Sequence, residues 1–314
     1  MLSVTLQARP CYELLEDYEK NKRVFRAAKL EFSSMAGRDV YNVSVPLLMD
    51  GAAYIAGRAE TRASEISEVV FFRKTGRFCT PVCPPAPFPL LQDPFLARIR
   101  GEIVFGGVRL KTDPRDPQKI AGYRTEFYRG STIRDLRPFA AGPEHMKDIR
   151  LVQLSDGTAG IFKRPQGNGA GKGKVGFTRV DRLEDVTREA ILGAEIIPSL
   201  FTEDEWGGVN NVHLLKNGLL GVIGHIAYMS RGMTRHYFPA AFAFNPETLE
   251  YTPVKIICRR SDVLDAPAKR PDLKDVLFPG GIVRKGERAD LYVGVSDATA
   301  QCVEIGDPFL EYEA

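Results

Sequence analysis

No stretch of this chain approaches the ~20 consecutive apolar residues that a membrane-crossing helix needs. The net charge is only +3 over 314 residues, too small to argue for a nucleic-acid or anionic-membrane partner. Cysteine is scarce and odd in number: Cys11, Cys79, Cys83, Cys258 and Cys302. Such a set excludes a disulfide framework and fits a reducing compartment, so a cytoplasmic location is expected. Cys79 and Cys83 are the sole close pair, and no second pair follows at zinc spacing, so neither a metal nor another cofactor is expected. The first twenty residues, MLSVTLQARPCYELLEDYEK, carry acids early and lack the apolar core of a secretory signal.

What the chain does have is a recurring phrase. LLMDGAAYIAGR, LVQLSDGTAGIFKR, HLLKNGLLGVIGH and the looser GGIVRKGERADLYVGVS each place a tight turn between two apolar strands. Asp-Gly and Asn-Gly supply the positive φ of a two-residue hairpin. The turn glycines are Gly51, Gly157, Gly218 and Gly286, and Gly106 in GEIVFGGVRL lies midway across the long first gap. Five hairpin units predict an all-β fold, a five-bladed propeller in one domain. The alternative is an ordinary hairpin-rich β protein. Residues 1–28 are expected to form an N-terminal helical segment, with Tyr12, Leu15 and Tyr18 at helical spacing, and residues 29–310 the blades. A second helix is expected over 182–200. The proline-rich stretch 79–95 reads as a crossing loop, and 258–275 as another connection. Residues 165–176 tempt a phosphate-loop reading, but Gln166 and Gly173 break that pattern. They predict a flexible loop whose Lys172 and Lys174 reach toward an anion.

Polar residues open the inner strands of the repeat: Asn42, Asp148, Asn211 and Asp275 precede their turn glycines by comparable offsets. In a propeller such residues converge on one mouth, although a solvated strand start carries the same residue types. Asp148 and Arg150, two apart, share a strand face. Arg58, Arg164 and His225 occupy matching places on the second strands, and Arg235, His236 and Tyr237 open the next strand. Cations gathered around one carboxyl suit an anion such as phosphate. Each taken alone is equally an exposed surface charge.

These motifs carry a resemblance. KDIRL beside GPEHM, GRAETRASEIS, GVIGHIA, RHYFPAAFAFNPE, DVLFPGGIV and LYVGVSDATAQCVEI resemble, in order, the strands of the β-mannoside phosphorylases of glycoside hydrolase family 130. The whole chain is more similar still to the mannosyltransferase/phosphorylase family, known earlier as a domain of unknown function, through FYRG, MKDIRL, RPQG, EWGGVN, GHIA, KRPDLKDV and SDA. Lys147 and Ile149 depart from the phosphorylase pattern around Asp148. The resemblance implies a five-bladed propeller acting on β-1,2-linked mannose oligosaccharides, by phosphorolysis or synthesis through mannose 1-phosphate or by transfer from GDP-mannose. It implies that Asp148 is a single general acid. Asn42, Arg58, Glu60, Arg150, Asn211, Asp275 and Asp297 are then expected to bind the sugar, and Arg150, Arg164, His225, Arg235, His236 and Tyr237 the phosphate.

Two rival readings remain at this stage. A GDP-mannose-dependent transferase would need a shelf for guanine, for which FCTPVCPPAPFPLL is the available stretch. A non-catalytic glycan-binding propeller would need no acid beside a cation ring.

Overall fold

The structure, a computed structural model, describes residues 7–166 and 173–313. Among these the strands follow one another as antiparallel meanders, here sheets I to V. Sheet I has a broken inner strand, Asp39–Tyr41 and Leu47–Met49, followed by Ala52–Glu60, Glu68–Thr75 and Phe78–Pro81. Sheet II comprises Leu91–Ile99, Glu102–Asp113, Asp116–Gly130 and Arg137–Ala141. Sheet III comprises Arg150–Gln153, Ala159–Lys163, Gly176–Val180 and Glu195–Ile196. Sheet IV runs through Trp206–Leu214, Leu220–Met229, Arg235–Phe244 and Lys255–Ile256. Sheet V takes Asp275–Lys285, Arg288–Val295 and Thr299–Gly306, and its outer strand, Val24–Lys29, comes from the other end of the chain.

Turn chemistry sets the repeat. Asp50 and Gly51 both have positive φ, as do Arg100 and Gly101, which is what a type I′ hairpin requires. Gly157 and Gly218 instead close wider turns, each donating its N–H three residues back, to Leu154 and Leu215. The turn glycine of sheet II is therefore Gly101. Gly106 lies inside Glu102–Asp113, where any Cβ would meet the Phe95 ring at 2.3 Å.

Each neighbouring pair of sheets encloses its own apolar cluster. Phe71 and Phe105 lie between I and II, and Phe127, Ile149 and Ile161 between II and III. Phe162, Phe177 and Phe244 fill III–IV, with ring centroids 4.9–5.3 Å apart. Ile223, Leu291 and Phe309 fill IV–V, and Ile55, Phe72 and Tyr292 join V to I. Fully burying such a side chain stabilises by roughly 1.5–3 kcal/mol, so the ring of interfaces, rather than any one sheet, holds the fold. Sheets IV and V are also joined by a short parallel pairing of His236 with Asp275 and Tyr237 with Val276.

Several sequence expectations shift. The N-terminal helix is Cys11–Asn21, and the next segment, 24–29, is strand. Residues 79–95 are not a plain crossing loop, since they hold part of Phe78–Pro81, all of Phe88–Pro89 and the start of Leu91–Ile99. The helix expected over 182–200 shrinks to Arg188–Gly193, capped by the Thr187 hydroxyl, after a 3-10 turn at Leu183–Asp185. Lys172 lies outside the described residues.

Candidate active site

The inner strands of sheets I, II and III reach the mouth through residues with left-handed backbone: Asn42 at φ 43°, Asp93 at 48° and Asp148 at 57°. Asn and Asp tolerate this region better than other residues with a Cβ, because their short side chains bond locally. All three are buried. The strand start thus serves as a bracket that aims a short polar side chain at the axis.

Around Asp148 the structure builds a cationic cluster. Arg164 Nη1 donates to Asp148 Oδ2 at 3.1 Å, and its Nε donates to the Gly207 carbonyl at 2.6 Å. Arg150 Nε donates to the Asn210 carbonyl at 3.0 Å, Nη1 to the Ile149 carbonyl at 3.1 Å, and Nη2 stands 3.8 Å from Asp148 Oδ1. Arg150 also lies over the Phe95 ring at 4.8 Å. Asp148, Arg150, Arg164 and His225 are each only 2% exposed. Gly208 makes the cluster possible, because a Cβ there would meet Arg164 Cδ at 2.9 Å and His225 Cε1 at 3.0 Å.

Burial alone would raise the pKa of Asp148, but the cations Arg164, Lys147 and Arg150 outweigh it and hold the carboxyl at about 2. Burial pushes His225 down to about 3, so its ring is neutral. Its Nδ1 bonds Asn210 Oδ1 at 2.8 Å, which makes Nδ1 the donor and leaves Nε2 with a lone pair. The ring stacks on Tyr237 at 5.5 Å and leans on Phe278 at 5.1 Å. Tyr237 accepts a bond from Trp206 Nε1 at 3.0 Å. Asp148 Oδ1 and Asn210 Nδ2 are buried without a hydrogen-bond partner among the described residues.

A second cluster stands on sheet I. Arg58 Nη2 donates to Glu60 Oε2 at 2.9 Å and Glu65 Oε2 at 3.1 Å, and Nη1 to Asp93 Oδ1 at 3.4 Å. Asn42 Nδ2 donates to the same Asp93 oxygen at 2.9 Å. Glu60 also accepts from Tyr41 and Lys269. Asp297, at φ 50°, completes the group. Burial, with Asp93 and Glu65 nearby, raises its carboxyl to about 6 against the pull of Arg58 and Lys269.

The sequence-predicted residues therefore divide. Asp148, Arg150, Arg164, His225 and Tyr237 come together, whereas Arg58, Glu60, Asn42 and Asp297 form the neighbouring carboxylate-rich group. Arg58 does not join Arg164 and His225 as the matched repeat positions suggested. Arg235 and His236 are engaged at the rim, with Asp272 and Asp275 respectively, each at 2.5 Å. Asn211 faces the axial cavity and accepts from the Ile282 N–H, while its neighbour Asn210 holds His225. A bulge between Val209 and Asn211 shifts the alternation by one, which the spacing could not reveal. Sequence reasoning missed Asp93. Its signal was present: Asp93 stands eight residues before Gly101, much as Asn42 and Asp148 stand nine before Gly51 and Gly157. The proline-rich stretch hides it by reading as a loop, and the even spacing points to Gly106 rather than to Gly101. Among the described residues no group of acidic, His and Cys side chains is arranged to hold a metal.

Comparisons with known proteins agree on the family. The profile of a family described as "Protein of unknown function (DUF1861)" matches residues 16–311. A mannose phosphorylase from Leishmania mexicana, MPT-4, solved with a phosphate ion, is 36% identical with a TM-score of 0.89, over 97% of this chain and 95% of that one. A GDP-Man-dependent mannosyltransferase from the same organism, MPT-1, is 35% identical with a TM-score of 0.88, over 98% of both chains. A β-1,2-mannobiose phosphorylase from Listeria innocua, at 11% identity and a TM-score of 0.62 over 88% of this chain and 93% of that one, shares the propeller-like fold. No curated protein sequence matches significantly.

Proposed function

The chain belongs to the family described as DUF1861, and on that premise we propose that it transfers mannosyl groups between β-1,2-linked mannose oligosaccharides and phosphate, by way of mannose 1-phosphate. That it is an enzyme of the glycoside phosphorylase or glycosyltransferase class follows from relatives at 35 and 36% identity spanning nearly the whole chain. The observation that carries the phosphate reading is the pair of buried guanidiniums, Arg150 and Arg164, set beside neutral His225 and a carboxyl with one oxygen unpartnered among the described residues. An inverting hydrolase needs a second carboxylate to activate water, whereas phosphate arrives already anionic and needs cations to hold it.

In this reading the meanders are blades of a five-bladed propeller, with Val24–Lys29 completing the last blade and the helix Cys11–Asn21 preceding it. Arg58, Glu60, Asn42 and Asp297 grip the terminal mannose. Asp275, Asn211, Arg235 and His236 lie further out, along the rim and the axial cavity. Five free cysteines suit a reducing location such as the cytoplasm.

The test is to incubate a β-1,2-mannose oligosaccharide with and without phosphate. Mannose 1-phosphate should form only with phosphate; free mannose released equally fast without it overturns phosphorolysis. The rival donor, GDP-mannose, is favoured by the near-equal likeness to the transferase. Phosphate-independent chain extension from GDP-mannose would establish it.

Asp148 is the proposed proton donor to the glycosidic oxygen. Asp148→Asn should lower turnover by a factor of about 10²–10⁴. An aryl mannoside whose leaving group needs no proton should restore turnover in that variant. A second reading places the acid at Asp93. In an inverting displacement nucleophile and acid act from opposite faces of the sugar, and Asp93 accepts from Arg58 and Asn42 whereas Arg164 donates to Asp148. Near wild-type turnover by Asp148→Asn, with a large loss in Asp93→Asn rescued by the aryl substrate, would move the proton to Asp93.

A further inference from the structure

We infer that binding of an oxyanion at Arg164 and Arg150 is coupled to uptake of a proton by Asp148, so that the anionic co-substrate itself converts this buried carboxylate into a carboxylic acid. The inference rests on the anion-site reading above and adds to it a linkage between two ligands, anion and proton.

The geometry leaves few other outcomes. Both arginines are tethered through Nε to backbone carbonyls, of Gly207 and Asn210, at 2.6 and 3.0 Å. Arg150 has a further tether to the Ile149 carbonyl. Their heads cannot swing out to meet an anion and leave Asp148 behind. An incoming oxyanion must share the remaining N–H groups, one of which Asp148 Oδ2 already uses at 3.1 Å. Asp148 Oδ1, buried and without a hydrogen-bond donor among the described residues, is a point of repulsion for an anion while ionised. Protonated there, it becomes an O–H donor, and O–H···O⁻ bonds of this kind are short and strong.

Among the described residues the charged and titratable groups acting on Asp148 are Lys147, Arg150, Arg164 and His225. In the free protein the three cations among them hold the carboxyl ionised against the cost of burial, while His225 is neutral. A bound dianion offsets two of those charges and adds its own repulsion. Both changes favour the neutral acid. The step adds one proton from solvent to one carboxylate, with no other bond made or broken. His225 is the rival acceptor, because the same anion would also favour its imidazolium. Its Nδ1 proton is already committed to Asn210, and only Nε2 remains to be charged.

Sulfate is the probe, since it does not itself titrate near neutrality. Its binding is followed by calorimetry at mildly acidic pH, in buffers of differing ionisation enthalpy. Uptake of up to about one proton per sulfate is expected for the native protein. It should vanish in Asp148→Asn and persist in His225→Gln. A direct readout on the unmutated protein guards against a variant that fails to fold: a carboxylic-acid C=O band should appear in the sulfate-minus-free infrared difference spectrum. Sulfate binding with no proton uptake and no such band overturns the coupling while leaving the anion site standing. Uptake that survives in a folded Asp148→Asn, or disappears in His225→Gln, overturns the assignment to Asp148. If neither sulfate nor phosphate binds, the anion-site reading falls and this inference with it.

Discussion

Asp297 carries its burial as a measurable pH effect. Its carboxyl sits at about 6, raised by burial first and by Asp93 and Glu65 after that. An unfolded aspartate titrates near ~4. The folded state therefore holds the proton more tightly. The stability this contributes is fully present below about pH 4 and lost as pH rises through about 6. Discounted for partial exposure, the penalty at neutral pH is about 1–2 kcal/mol. Asp297→Asn should raise the melting temperature at neutral pH and flatten its dependence between those limits. If Asp297 also touches the sugar, the same variant should lose an acidic limb in the pH profile of kcat/KM. A melting profile identical to the native one would show that this carboxyl titrates normally. Gly208→Ala tests the other cluster. A methyl cannot fit within 3.0 Å of both Arg164 and His225, so KM for phosphate should rise roughly tenfold, worth about 1.4 kcal/mol, with KM for the mannoside little changed. Unchanged phosphate affinity would mean that the cluster does not bind it.

At the scale of elements, the connection 258–275 does more than link sheets IV and V. It crosses back to sheet I, where Lys269, with a side chain only 3% exposed, meets Glu60 and donates to the Ser64 carbonyl at 2.7 Å. Next to it Arg270 pairs with Glu65 at 2.5 Å and Asp272 with Arg235. This strap ties the mouth ends of sheets I, IV and V into one charged network. Removing one partner of a buried pair costs more than the pair contributed, because the other charge is stranded. Glu60 retains Arg58 and Tyr41, so Lys269→Met should cost about 2–4 kcal/mol. Chemical unfolding measures it, and a loss below about 1 kcal/mol would show the strap to be a passive surface loop. The sequence showed this stretch as basic and proline-containing. It gave no sign of a buried lysine, because Glu60 lies 209 residues away.

For the whole molecule, closure is the decisive event. The outer strand of sheet V, Val24–Lys29, pairs with Thr299–Gly306 across nearly the full length of the chain, and the V–I cluster around Phe72 and Tyr292 seals the same seam. Deleting residues 1–29 should leave Thr299–Gly306 as a bare edge that templates other chains. Self-association in light scattering and a lower, broader melting transition are expected. A monodisperse deletion variant with the native melting temperature would mean that the ring is held shut by its apolar seam alone.

The hairpin repeat and the chemistry of its strand ends were legible in the amino acids themselves. Positive φ selects Asp-Gly and Asn-Gly locally, and strand alternation is a nearest-neighbour property, so Gly51, Gly157, Gly218 and Gly286 and the convergence of Asp148, Arg150, Arg164 and His225 could be read in advance. Tertiary structure decided what depends on long-range contact or on a single shifted residue. A bulge exchanged Asn211 for Asn210 at His225. A strand begun inside a proline-rich stretch brought Asp93 to the mouth. Carboxylates from Glu60, Glu65 and Asp93 drew Arg58 away from the other cations, and Asp272 and Asp275 held Arg235 and His236 at the rim. Each of these depends on which groups the closed ring and its bulges bring side by side, and that is set by packing rather than by spacing.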